Sequence, residues 1–426
     1  MDGTCKTPPK GYSADDCFAF VQKSDVQPYF DIATGYGFAN YFFQTNQGPS
    51  LPAHQFLLSG TSAPVPYQGT PQEWTWFDAE NTGDTNTNDK VPDDHTGCTA
   101  TYQTEFTRLI DPTGAEGPKT CSLSDPHCQF PCYDHPTLVE LLDNAKPQIS
   151  WKYYAPTPGG LWNAPNAMKK ICVPSLPYNG VCTGSDWNSF VKPFLETTQN
   201  PVPIYTDINN CQLPAVSWVI PDKKWSDHAH ENEGTGPYYV ANIVNGIGWS
   251  TCTDNVKGVQ VPYWQDTVIF ILWDDWGGWF DHVLPFKMGG QSNGWGAKYT
   301  YGFRVPFLVV SAYTPAGYVS GALPSPGMDP QHTHDFGSIL RFIENNFALP
   351  PGGIGPSNYP FADAFAPDEN APGGSLADFF PIPSTKPRLF QGIPIDPLRG
   401  QSYFQNYFSV TNPSEAPDGP DAGDSD

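Results

Sequence analysis

Two adjacent carboxylates, Asp274 and Asp275, stand at the end of the apolar run Thr267-Val-Ile-Phe-Ile-Leu-Trp273 and are followed by Trp276, Gly277 and Gly278. Paired carboxylates suit a hard divalent cation that activates a phosphoryl or acyl group. A helix N-cap followed by a solvated turn accounts for the dipeptide equally well. Consecutive side chains face one ion only if the backbone turns between them, and the two glycines permit that turn. Asp281-His282 comes next. A histidine beside a metal could hold a substrate oxygen or protonate a leaving group, and it could also be an ordinary loop histidine. A second histidine, His228, lies in Pro221-Asp-Lys-Lys-Trp-Ser-Asp-His and also follows an apolar run. Near the start, Gln47-Gly-Pro-Ser-Leu-Pro-Ala-His places Ser50 before a short helical pattern. A hydroxyl there meets free backbone N–H groups and the positive end of the helix dipole, which favour its alkoxide and an attached phosphate. The same position suits a plain N-cap.

These residues converge only if the elements carrying them end at a common edge. A strand apolar at every position is expected to be covered on both faces, as in a parallel sheet between helices, and ligands then sit beyond the carboxyl ends of the strands. Strands are predicted around Tyr36 to Phe43, Ile149 to Ala155, Ala215 to Ile220, Thr267 to Trp273 and Phe303 to Ser311. Helical periodicity recurs from Thr137 to Ala145, from Tyr238 to Ile247 and from Asp335 to Phe347, with Asp335 a natural N-cap. The expected class is α/β, a helix-flanked and mostly parallel sheet with long loop-rich insertions. The 47 Pro and 40 Gly account for the loops. The polar segment 69–134, with four cysteines, reads as one insertion, and Pro413 to Asp426 as an acidic disordered tail. Trp273, Trp276, Trp279 and Phe280 could line an apolar pocket or belong to the core.

A formal charge of −23 repels nucleic acid and anionic membranes, so nucleic acid is not an expected partner. An anionic substrate is then bound only where an ion or a few donors reverse the local sign. Ten cysteines point to an oxidising compartment and to bridges between near neighbours, such as Cys5 with Cys17 or among Cys98, Cys121, Cys128 and Cys132. The rival is zinc held by Cys121, His127, Cys128, Cys132 and His135, although paired Cys-x-x-Cys knuckles are missing. No signal peptide opens the sequence and no segment is long enough to span a membrane.

Six ordered motifs resemble one family. They are Asn46-Gln-Gly-Pro-Ser-Leu-Pro-Ala-His-Gln-Phe with Ser59-Gly-Thr-Ser-Ala-Pro, Ser150-Trp-Lys-Tyr-Tyr-Ala-Pro, and Leu213-Pro-Ala-Val-Ser-Trp-Val-Ile-Pro-Asp with Ser226-Asp-His. Trp273-Asp-Asp-Trp-Gly-Gly-Trp-Phe-Asp-His-Val, Gly302-Phe-Arg-Val-Pro and Gly337-Ser-Ile-Leu-Arg-Phe-Ile-Glu complete the set. Together they resemble the phosphoesterases that group bacterial acid phosphatases with non-haemolytic phospholipases C, within the alkaline phosphatase superfamily.

The resemblance implies an alkaline-phosphatase-like domain over 24–390, after an irregular segment 1–23 and before an extension 391–426. It implies a secreted or periplasmic phosphomonoesterase or phospholipase C acting on a phosphate ester, a phospholipid being one option. Ser50 takes the nucleophile's place and forms a phosphoseryl intermediate, and Asp274 and Asp275 are ligands of a divalent metal of unknown identity. His228 and His282 hold non-bridging oxygens or protonate the leaving group, with His54 behind them. His334 is a weaker candidate, because relatives carry a histidine where this chain has Phe336.

One departure is plain. Relatives open with a strand ending in Glu-Asn-x-Ser-Phe-Asp, whose Glu and Asn complete the metal site, and no such segment precedes Ser50. The Glu-Asn pairs at Glu231 and Glu344 lie in other contexts. Met1-Asp2-Gly3 resembles an internal Met-Asp-Gly of relatives, so a fragment or start-truncated product is expected. The alternative is a truncated or degenerate, non-catalytic secreted binding protein of the same fold.

Overall fold

The computed structural model describes residues 21–45, 50–60, 62, 77–80, 97–100, 106–110, 124–134, 136–160, 162–175, 180–228, 234–254, 259–260, 262–277, 281–283, 302–321, 332–349 and 376–407. Strands β1 (Gly37–Ala39), β2 (Phe42–Phe43), β3 (Phe77–Glu80), β4 (Thr107–Ile110), β5 (Cys128–Gln129), β6 (Trp151–Tyr154) and β7 (Val216–Val219) are followed by β8 (Thr253–Asp254) and β9 (Val259–Gln260). After them come β10 (Val268–Leu272), β11 (Phe307–Ser311), β12 (Tyr318–Ser320) and β13 (His334–Asp335). The helices are α1 (Gln27–Gly35), α2 (Ser50–Ser59), α3 (Leu138–Asn144), α4 (Ala164–Ala167), α5 (Pro203–Asn209), α6 (Gly236–Gly248), α7 (Phe336–Asn346) and α8 (Gln401–Tyr407).

The sheet that carries the acid pair runs in the order β10-β11-β1-β12. Its central strand β11 is buried at all five residues, and the pleat sends alternate side chains to opposite layers. Phe307 and Val309 join Ala53, Phe56 and Leu58 of α2 and Ile339 and Leu340 of α7 in one apolar cluster. Leu308 and Val310 meet Ile32 of α1 and Ala241 and Val244 of α6 in another. The sheet is therefore flanked by helices on both faces, as the continuous apolar run requires. Phe42 stacks on Phe307 with centroids 4.0 Å apart and closes the first layer.

The pairing differs from the expectation. β10 is antiparallel to β11, and β11 is antiparallel to β1. The parallel pairs are β1 with β12, β6 with β7 and β13 with β2. The class is mixed α/β, and among the described residues it is not mostly parallel. An apolar run encodes which faces are covered, whereas strand direction depends on the connections between strands. β10 is also an edge among the described residues, and of its five apolar residues only Ile271 is buried.

The polar segment contains the small antiparallel sheet β3-β4-β5. Cys98 is bonded to Cys132, Cys172 to Cys182 and Cys211 to Cys252, and Cys128 is also in a disulfide. The zinc alternative falls, because Cys128 and Cys132 have no thiolate to offer an ion. Cys5, Cys17, Cys121 and His135 lie outside the described residues, as do Met1 to Gly3 and Pro413 to Asp426.

Candidate active site

Ser50 opens α2 and is 4% exposed. Pro52 fits the first helical turn, where a missing N–H leaves no intrahelical bond unmade. His54 stands four residues on, so the same face of the helix presents both side chains. Nine of the ten residues of α2 are buried, because α3, α4 and α7 all pack against it. A helix enclosed in this way holds Ser50 and His54 in a fixed frame.

β10 delivers Asp274 to that frame. The Ser50 hydroxyl faces the Asp274 carboxylate and favours its ionised form. His54 Nε2 lies 3.2 Å from Asp274 Oδ2. That approach is off the N–H direction, so it acts as a charge contact, and Oδ2 is buried without a well-aligned hydrogen bond. Burial pushes the Asp274 carboxyl up, but the contact and charge of His54 and the Ser50 hydroxyl outweigh it and hold the group at about 2. A carboxylate this acidic is a poor proton acceptor near neutral pH and a good anchor for positive charge. Asp275 turns back on its own loop, with Oδ1 accepting from Gly277 N at 2.5 Å. Gly277 takes a left-handed φ of 63°, the turn that the glycine pair allows.

His228 approaches from the loop after β7. Its backbone N–H donates to Ser226 Oγ, which donates to Lys223 O. Its ring lies against Trp162 with centroids 5.7 Å apart. Trp162 shares a buried cluster with Leu51, the neighbour of Ser50. Trp162 O accepts from the Tyr153 hydroxyl at 2.7 Å. Burial raises Tyr153, the bond at Ala164 lowers it and the Asp274 charge raises it again, so the phenol keeps its proton beside the site.

His282 is placed differently. Its side chain is 84% exposed, with Nδ1 3.7 Å from Asp281 Oδ1. Asp281 is gripped through both oxygens by Arg304, at 2.6 and 2.8 Å, and Arg304 also reaches Asn40 O. No contact among the described residues joins His282 to Ser50 or Asp274.

His334 is 1% exposed and is taken up elsewhere, 2.8 Å from Ser320 Oγ and 3.4 Å from Asp378 Oδ1. Trp276 packs edge-on against Phe303, and Trp273 also joins the core, so these two take the core reading. Gly278, Trp279, Phe280 and Glu231 lie outside the described residues.

No group of three His, Cys, Asp or Glu side chains among the described residues is arranged to hold an ion. Asp274 Oδ2, Asp275 and the Ser50 hydroxyl nevertheless offer hard oxygens, which fit one side of the shell of a hard divalent cation.

The profile of the Phosphoesterase family matches residues 9–350. This chain belongs to the Phosphoesterase family. Among curated members it is 30% identical over 159 residues to a non-hemolytic phospholipase C of Burkholderia pseudomallei, covering 33% of this chain and 20% of that protein. It is 26% identical over 264 residues to phospholipase C B of Mycobacterium tuberculosis, covering 57% of this chain and 44% of the relative. A hemolytic phospholipase C of Pseudomonas aeruginosa is 27% identical over 164 residues, 35% of this chain and 20% of that one. The chain thus spans between a fifth and under half of the length of these relatives.

Three residues around the site gave no chemical signal in the sequence. Trp162, Tyr153 and Tyr29 are aromatic residues in strands, turns and helices, where packing is the default reading. His54 was foreseen as a supporting residue, and the structure puts it in direct contact with Asp274.

Proposed function

We propose that this chain hydrolyses phosphate esters with Ser50 as nucleophile. The observation that carries the reading is a buried serine opening α2, with His54 of the same helix face 3.2 Å from the Asp274 carboxylate. Ser50 Oγ attacks phosphorus and loses its proton to solvent. The bond to the leaving oxygen breaks, and His228 gives that oxygen a proton, which His228 regains from the water that attacks in the second step. Water then attacks the phosphoseryl phosphorus, and Ser50 Oγ departs and regains a proton. The first-turn N–H groups of α2 stabilise negative charge on Ser50 Oγ and the phosphoryl oxygens. His54 keeps Asp274 ionised and aimed at Ser50. His282, on an exposed loop clamped by Asp281 and Arg304, is assigned to the phosphate or the leaving group from the open side. Asp274, Asp275 and the Ser50 hydroxyl would hold a divalent ion, which would supply the positive charge that an acidic protein lacks.

The names of the relatives favour a phospholipid diester as substrate, cleaved between the phosphate and the glycerol. The disulfides support a secreted or periplasmic site of action. No helix among the described residues is long and apolar enough to cross a membrane.

The test is hydrolysis of an aryl phosphate, an aryl phosphodiester and phosphatidylcholine by the full chain with added divalent ions. Activity should vanish on chelation and return with the ion. A second reading, a binding protein of the same fold without turnover, is favoured by the lack of a three-ligand group among the described residues. It predicts phosphate-ester binding by calorimetry with no product under any metal.

A further inference from the structure

Two walls of the site come from separate strands, and α1 touches both from outside. Tyr29 donates its hydroxyl to Asp227 Oδ2 at 2.6 Å. The same ring meets Trp273 edge-on with centroids 5.0 Å apart. Asp227 is the residue before His228, and Trp273 is the residue before Asp274. A single side chain therefore contacts the residue before His228 and the residue before Asp274.

The Asp227 end of this bridge is built for one geometry. Asp227 has a left-handed φ of 59°, a conformation that a short acid tolerates better than most residues. Its carboxylate lies so close to Gly236 that a Cβ there would collide with it. Gly236 opens the 13-residue helix α6 and is followed by Pro237. Asp227 is thus wedged between a phenol and the first turn of a long helix, whose positive end suits a carboxylate. Burial lifts the carboxyl to about 6, and the Tyr29 bond acts against that rise. On the other side, α1 packs on both β11 and α6, so Tyr29 rests on the same frame as the sheet.

We propose that Tyr29 is a positioning residue that sets the spacing of His228 from Asp274, through Asp227 on one side and Trp273 on the other. It touches no reacting atom. The inference rests on the reading of Ser50, Asp274 and His228 as a phosphoesterase site. Within that reading it assigns the protonation of the leaving group, and not the attack by Ser50, to the part that Tyr29 controls.

Tyr29→Phe separates the two contacts, because it keeps the ring on Trp273 and removes the hydroxyl from Asp227. In the full chain it should lower kcat roughly tenfold for an alkyl phosphate, whose leaving group needs a proton. It should barely change kcat for para-nitrophenyl phosphate, whose leaving group does not, and KM should hold for both. In a His228→Ala background Tyr29→Phe should add nothing. An equal loss on both substrates, or a loss additive with His228→Ala, overturns the proposal. If the wild-type chain hydrolyses neither ester, the functional reading has failed separately. The His228 ring resonances, assigned by their absence in His228→Ala, then decide: they move in Tyr29→Phe if Tyr29 positions that loop, and unmoved resonances overturn the inference.

Discussion

At the scale of single residues, the proposed site sets Ser50 and His54 of one helix face against Asp274. His54→Gln keeps a polar side chain but removes the imidazole that contacts Asp274. It should cost roughly tenfold or more in kcat/KM on an aryl phosphate, with the melting temperature nearly unchanged. Loss of fold with loss of activity would instead make His54 a core residue. Asp378 tests the separate buried cluster, where Oδ2 accepts from Tyr318 at 2.9 Å and Oδ1 faces His334. Burial raises this carboxyl, but His334, Ser320 and Tyr318 hold it at about 2. Its folded pKa lies below its unfolded one, so the stabilisation is complete above the ordinary carboxylate range and disappears as pH falls through about 2. Asp378→Asn should therefore cost about 2 kcal/mol at neutral pH and little near pH 2, read from urea unfolding. A cost that does not change with pH would contradict the assignment. At this scale chemistry and spacing singled out Ser50, His54 and the acid pair, and the structure brings His54 against Asp274. It was silent on Tyr29 and Tyr153, whose roles depend on partners up to 198 residues away.

At the scale of elements, local signals were read well. Asp335 caps α7 by accepting from Ser338 N at 3.1 Å, because this bond lies within one turn of chain. Pairing direction was not legible, since the apolar residues of β10 look the same in a parallel or an antiparallel neighbourhood. Nor did composition reveal that β10 would stand at an edge. That edge has a measurable consequence. In hydrogen exchange, alternate amides of Val268 to Leu272 should exchange much faster than those of Phe307 to Ser311, which lie between β10 and β1. Uniform protection along both strands would mean that the far edge of β10 is covered.

At the scale of the molecule, the disulfides are consistent with an oxidising compartment, and the charge of −23 leaves any anion binding to local features. Cys98–Cys132, Cys172–Cys182 and Cys211–Cys252 close loops of 34, 10 and 41 residues. Each should stabilise the fold by about 3 kcal/mol through the unfolded chain. Reduction should lower the melting temperature well beyond 10 °C, on the order expected for several kcal/mol. An unchanged melting curve after full reduction would show that the core alone carries the fold. Family membership was legible in six scattered motifs, and the family profile matches residues 9–350.

The most direct test of the account is covalent. The full chain is mixed with an aryl phosphate and divalent ion, quenched in acid within the first turnovers, digested and examined by mass spectrometry. The account predicts phosphate on the peptide that contains Ser50 and on no other, and neither label nor turnover in Ser50→Ala. Continued turnover by Ser50→Ala, or label on a different residue, would contradict it.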